Sequence, residues 1–295
     1  MQRGRFSALP CTIPHAKKSA PMELKVLLAS EAALPSIPKA VALLLSELAR
    51  PEPDLRKLGQ LIGTDPALTT RLLTLANSAM FNLSRKVSSI PEALAILGID
   101  HLRSLAQAAA LGLSFRAVPG VNLQQFWRYS LNVAKLSRAL AGAVRHNPAT
   151  AFTAGLVHAV GELVMHMGMP TEMAALNQQV LPLDLRRARM ETKRLGFCYA
   201  DVGAGFARKW QFPDRIVDAL QSQIFPFDDG VYEPLAGVVH LAAWRARAKE
   251  VDFDESALAG SYPGEVGLAL GLDIDMVLQQ DPIDWSAKTD LGAFV

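Results

Sequence analysis

Three side chains able to ligate a metal or move a proton recur at four-residue intervals in one apolar stretch. They are His158, Glu162 and His166 in AFTAGLVHAVGELVMHMG, residues 151–168. Histidines and carboxylates are the donors that a divalent cation or an acid–base pair uses. Residues four apart stack on one helix face, so neighbours in this trio could act together. The outer two could not share an ion, since eight residues climb about 12 Å. The plainer reading of His158 is a core histidine bonded to backbone or to Glu162. His240, in GVVHLAAW, reads the same way, and His101 falls in the first turn of a helix. Cys198 has no base near it in sequence and reads as a packed thiol. No Gly-x-Ser-x-Gly elbow is present. Gly203-Ala204-Gly205 lies within a helical pattern and lacks the strand–turn–helix setting of a phosphate loop. The two cysteines, Cys11 and Cys198, suggest neither a disulfide framework nor a zinc site.

The densest positive run is Arg186, Arg187, Arg189, Lys193 and Arg194. On a helix, Arg186, Arg189 and Lys193 share a face. One reading is a solvated surface with an Arg187–Glu191 ion pair. The other is a docking patch for an acidic partner or a phosphate-bearing ligand. Arg85-Lys86 forms a smaller loop patch, and Arg245, Arg247 and Lys249 read as cations at a helix C-terminus. The formal net charge is only +2, which argues against nucleic acid as a partner. Asn77-Ser78 interrupts an apolar stretch, and the buried amide there is expected to bridge to the 82–88 loop.

These residues must be carried by helices. Leu and Ala abound, aromatic residues make up 7% of the chain, and no run alternates like a strand. Ser36 can cap a helix with Ile37, Val41, Leu44, Leu45 and Leu48 on one face. Asp54 starts a short helix with Leu55, Leu58, Leu61 and Ile62 inward. Asp65-Pro66 is a strong start for a helix buried along Leu68, Leu72, Leu75 and Ala79. Ser89 and Glu92 have capping-box spacing, Gly98 stops that helix, and Asp100 opens the next. Asn122 starts a helix to about 145, and Asn147-Pro148 another to about 167. Further helices are expected at 171–179, 184–195, 199–210, 214–223 and 233–249, with a helical region at 254–280. Residues 151–170 come nearest to membrane length but read as a buried helix, because they carry His158, Glu162 and His166. The N-terminus has no apolar core of a secretory leader.

Six of these segments together resemble one family. LPSIPKAVALLLSEL (34–48), LGQLIGTDPALTTRLLTLANSAMF (58–81), VSSIPEALAILGIDHLRSLA (87–106) and FWRYSLNVAKLSRALA (126–141) look like successive pieces of the HDOD domain, the HD-related output domain. AFTAGLVHAVGELVM (151–165) and LGFCYADVGAGFARKWQFPDRIVDAL (195–220) continue in the same order. The resemblance implies an all-α architecture: an HD-like helical subdomain at 116–225, preceded by a smaller helical subdomain at 30–115. A flexible tail at 1–29 and a helical C-terminal extension at 226–295 flank them.

HD phosphohydrolases, to which the family is similar in fold, hold metal with a first His, a His-Asp pair and a later Asp. At the corresponding places stand Tyr129, His158-Ala159 (with Gly161-Glu162 after it) and Ala243. The resemblance therefore implies a non-catalytic, cytoplasmic module of bacterial signalling, with no metal and no cofactor. It would act on an unidentified signalling protein, off the membrane. The alternative is a metal-dependent phosphohydrolase, or a sensor that holds a nucleotide ligand in the remnant pocket.

Overall fold

A computed structural model describes residues 23–30, 34–112, 117–227 and 233–285. Residues 1–22 of the expected tail lie outside them. Every regular element among the described residues is helical. α1 (Leu24–Ala29) is followed by α2 (Pro38–Leu48), α3 (Leu55–Ile62), α4 (Pro66–Ala76) and α5 (Ile90–Gly112). The second half begins with α6 (Leu123–Ala143), α7 (Pro148–Val157), α8 (Val160–Gly168) and α9 (Pro170–Asn177). It continues with α10 (Arg187–Leu195), α11 (Tyr199–Lys209), α12 (Asp214–Ser222) and α13 (Pro234–Glu250). Three short helices close it: α14 (Glu255–Ser261), α15 (Gly264–Leu270) and α16 (Ile274–Gln279).

Half of the helix starts are set by side chains within three residues. Asp54, Asn122 and Asn147 accept amide protons of the first turns of α3, α6 and α7. Ser36 does not cap α2. That helix starts at Pro38, and the Ile37 amide donates instead to Asp65 Oδ2 at 2.6 Å. Asp65 Oδ1 takes the amides of Ala67 and Leu68, so one buried carboxylate caps α4 and pins the entry to α2. Glu92 reaches the Ser88 amide rather than that of Ser89. Gly98, at φ +69°, breaks α5 where a side chain would be strained. Leu55 and Ala79, expected inside, lie at the surface, because the inward stripes turn to Leu58–Ile62 and to Leu68, Leu72, Leu73 and Ala76.

α2 to α5 pack on one another as the smaller layer, and α6 to α8 with α11 to α13 form the larger one. α4 and α5 meet α7 between them. The 82–89 loop reinforces the seam: Asn77 exchanges two hydrogen bonds with the Val87 backbone, at 2.9 and 2.7 Å, as its placement suggested. Ser88 Oγ lies 3.0 Å from Thr150 Oγ1 and accepts from Arg215 at 2.7 Å. One apolar cluster runs from Leu27 to Val277. It takes in α1, which lies on α11 although the tail was expected to reach 29, and α13, which packs on α6, α7 and α12. Hydrophobic burial is thus continuous across the boundary drawn at 225. Pro148–Gly168 is long and apolar enough to cross a membrane by composition, but 89% of that window is buried inside the fold.

α8 and α11 cross with backbone against backbone. A Cβ on Gly161 would collide with the Tyr199 carbonyl and the Gly203 amide, so only hydrogen fits. Gly203 faces Gly161 across this crossing, while a Cβ on Gly205 would press on the Leu28 side chain of α1.

Replacing Asp65 with alanine strands three amides, at least two of them in the core. The expected loss is about 2–4 kcal/mol by denaturant titration, against about 1 kcal/mol for Asp54→Ala at an exposed cap. Equal losses would contradict the bridging role.

Candidate functional site

The helix expected at 149–167 is broken at Ala159 (φ −107°, ψ 10°), between α7 and α8. His158 therefore sits at the end of α7, wholly buried. Its Nδ1–H donates to the Gly155 carbonyl at 2.7 Å, the backbone bond expected of a core histidine. Nε2 is left without a partner, and the ring stands edge-on to Tyr129 with centroids 5.1 Å apart. Burial, then the nearby charge of Arg247, hold this histidine down to about 3.

Glu162 and His166, on the next two turns, face a guanidinium that the sequence reading left at the surface. Arg187 is 0% exposed. Its Nη2 lies 2.8 Å from Glu162 Oε1, and its Nε donates to Glu191 Oε1 at 2.7 Å. Its Nη1 donates to Asn177 Oδ1 and to the Val180 carbonyl. Glu191 Oε2 accepts the Tyr199 amide at 2.8 Å. The Arg187–Glu191 pair forms as expected at i, i+4, but inside the fold rather than in solvent. Arg187 therefore drops out of the basic patch, because its charge is spent on two buried carboxyls. Burial, and then the like charge of Glu162, push Glu191 well above the usual carboxylate range. His166 donates from Nδ1 to the Pro119 carbonyl at 2.7 Å, and burial holds it down to about 4.

The rest of the patch is exposed: Arg186, Arg189, Lys193 and Arg194. Arg186 precedes the first turn of α10 and is clamped by both oxygens of Asp184, at 3.0 and 2.8 Å. Arg189 lies over the Phe225 ring at 5.6 Å. Cys198 is a packed thiol pushed up to about 12 by burial, which suits no nucleophile.

Arg247 is the residue that sequence reasoning missed. It stands one helical turn after Ala243 on α13 and is only 5% exposed. Its Nε donates to the Tyr129 hydroxyl at 2.7 Å, its Nη2 to the Tyr199 hydroxyl at 3.1 Å, and its Nη1 to the Asp184 carbonyl at 2.8 Å. The signal was present: Ala236, His240, Ala243 and Arg247 fall on one helix face, which turns the arginine inward. Of the five positions matched to an HD centre, Tyr129 is engaged by this guanidinium, and Ala159 and Ala243 offer no donor atom. His158 offers one nitrogen, and Glu162 is held by Arg187. A fixed positive charge beside so few donors does not fit a divalent cation. No group of three His, Cys, Asp or Glu side chains among the described residues is placed to hold one.

Two cavities flank the 184–186 segment, and Arg247 lines both. The smaller, about 310 Å³, carries Arg186, Arg189, Arg247 and His240 with Phe225 and Trp244, and no carboxylate among the described residues. The larger, about 690 Å³, is walled by Val121, Phe126, Leu181, Leu183, Val251 and Phe253.

The two buried histidines stay neutral in the fold down to about pH 3 and 4, while in the unfolded chain they take protons near 6.5. Stability that they contribute is present above 6.5 and is lost as pH falls. Asp65, pushed up to about 6 by burial, acts in the opposite sense between 6 and 3.8, so the effect is read as a difference between variants. His158→Gln should flatten the stability–pH slope between 6 and 4 by about 1.4 kcal/mol per pH unit. Parallel wild-type and variant curves would refute a buried neutral His158.

Comparison with known proteins agrees with this architecture. An uncharacterized protein of Treponema pallidum (strain Nichols) is 24% identical over 212 residues, 71% of this chain. The chain spans only 41% of that relative's length. A crystal structure of a fragment of the MmoQ response regulator of Methylococcus capsulatus matches with a TM-score of 0.66 at 25% identity, covering 83% of this chain and 94% of that one. A virulence factor of Campylobacter jejuni shares the fold, with a TM-score of 0.59 at 18% identity over 88% of this chain and 98% of its own. Residues 34–225, well over half of the chain, match the HDOD domain. With the six sequence segments and the helical layers in agreement, the chain belongs to the HDOD domain family.

Proposed function

We propose that this protein is a non-catalytic module of bacterial signal transduction that works in the cytoplasm through contact with a signalling protein. The observation that carries this reading is the Arg247–Tyr129 hydrogen bond of 2.7 Å at the remnant HD centre. A phosphohydrolase needs a cation there to activate water and screen phosphate charge. This chain has a guanidinium, which screens charge but has no ionisable water to deliver. The metal-dependent alternative would also need donors that Ala159 and Ala243 lack. Likeness to the MmoQ response regulator supports a place in signalling.

The contact surface is proposed on the side where both cavities open. Exposed Leu181, Leu185 and Phe225 stand there beside the charged Arg186 and Arg189, with Lys193 and Arg194 further along α10. Apolar anchors rimmed by arginine are what a protein partner uses. The smaller cavity, with three arginines and no carboxylate, suits a nucleotide or another phosphate-bearing ligand held without cleavage.

The purified protein, assayed for bound metal and for phosphodiesterase turnover with added Mn²⁺, should show neither stoichiometric metal nor turnover. His158→Ala should lower stability and change no activity. Turnover that vanishes in His158→Ala would overturn the proposal. Arg186→Glu with Arg189→Glu should weaken partner capture without shifting the melting midpoint, and unaltered capture would remove that patch from the interface.

A further inference from the structure

We infer that the larger cavity is a binding site for an apolar monocarboxylate, a fatty-acid-like molecule whose carboxylate meets Arg247 and whose hydrocarbon body lies against Phe126, Leu183 and Phe253. This goes beyond the signalling reading and does not depend on it.

The charge around the cavity selects the ligand class. Four charged residues line it: Asp184, Arg186, Arg247 and Glu250. Asp184 and Arg186 clamp each other. Glu250 is clamped by Arg128, whose Nε and Nη2 donate to its two oxygens at 2.9 and 2.7 Å, and it accepts from Gln125 as well. Arg247 alone remains. Its three hydrogen bonds go to two hydroxyls and one carbonyl. No ion pair joins it to a carboxylate among the described residues. Glu162 and Asp184, whose charges act on it from a distance, are held by Arg187 and Arg186. Among the charged groups of the walls, Arg247 is thus the one in no ion pair among the described residues, and its side chain is more than nine-tenths buried. Leaving such a charge without an anion is costly, and a single carboxylate offsets it through charge-assisted bonds to the unused N–H groups. A dianion such as a phosphate ester would meet Asp184 and Glu250 with one charge to spare.

The body of the ligand follows from the walls. Val121, Phe126, Leu181, Pro182, Leu183 and Val251 are apolar, and about 690 Å³ falls within the roughly 300–1,000 Å³ range of small-molecule sites. Leu181 and Val251 stand exposed at the rim, where a hydrocarbon chain would cover them.

The test uses calorimetry on the full chain with decanoate, its neutral analogue decanol and the cationic decylamine. Decanoate should bind one to one, at least tenfold more tightly than decanol, with decylamine weaker than both. Arg247→Gln should abolish the preference for decanoate over decanol, and Arg247→Lys should keep part of it. Because Arg247 also holds two tyrosines, Leu181→Glu at the exposed rim serves as the second variant. It should weaken decanoate at least tenfold with an unchanged melting midpoint. Absence of binding by any of the three at millimolar concentration, equal affinity for decanoate and decanol, or binding indifferent to Leu181→Glu would each overturn the inference. These outcomes are separate from metal content and turnover, on which the signalling proposal stands or falls.

Discussion

One buried cation organises this fold. Arg187 has no solvent contact, so every one of its bonds must be found inside the protein. It finds them on four segments: Glu162 of α8, Asn177 at the end of α9, Val180 in the following loop, and Glu191 of its own helix. Glu191 in turn holds the first amide of α11. A buried ion pair adds little net stability over an apolar substitute, but losing one partner leaves an uncompensated charge and costs about 3–5 kcal/mol. The cluster therefore acts as a registration device. α8, α10 and α11 can pack in the one arrangement that satisfies all of it, and that arrangement brings Gly161 against the Tyr199 backbone.

The second buried arginine completes the pattern. Arg247 ties α13 to α6 through Tyr129, to α11 through Tyr199 and to the 184 carbonyl. His158, wedged between the Tyr129 ring and the end of α7, is the remaining imidazole of the centre, kept neutral by burial and by that guanidinium. Where an HD enzyme would place a removable ion held by side-chain donors, this chain has a cation built into its own helix, with tyrosine hydroxyls as its ligands. Under the proposed reading, the centre would give up activation of water for fixed recognition of negative charge.

How much of this was legible in the sequence depended on the range of the interactions. Caps act over three residues, so Asp54, Asp65, Asn122 and Asn147 announced their helices, and the family segments followed from their order. Asn77 could be read as a loop bridge because an amide in an apolar stretch must find partners nearby. Arg187 was legible only in part: its pairing with Glu191 is local, but its burial depends on Glu162, which approaches from another helix. Arg247 looked like one of three cations at a helix end, because its partners Tyr129 and Tyr199 are 118 and 48 residues away. The break at Ala159 was hidden for a different reason. No proline or glycine occupies that position, and the chain bends there to pack α7 on α6 and α8 on α11.

The position of Arg247 in the walls of both cavities has a thermodynamic consequence. Leu185, Arg186 and Arg247 line both cavities, and the Arg247 guanidinium cannot turn its free N–H groups fully to both sides. If both cavities take anions as proposed, an occupant that draws it one way would lower the affinity of the other, and linkage would make the penalty equal in both directions. With both proposed ligands, the two sites would oppose each other through their shared wall, with no hinge or domain movement to connect them.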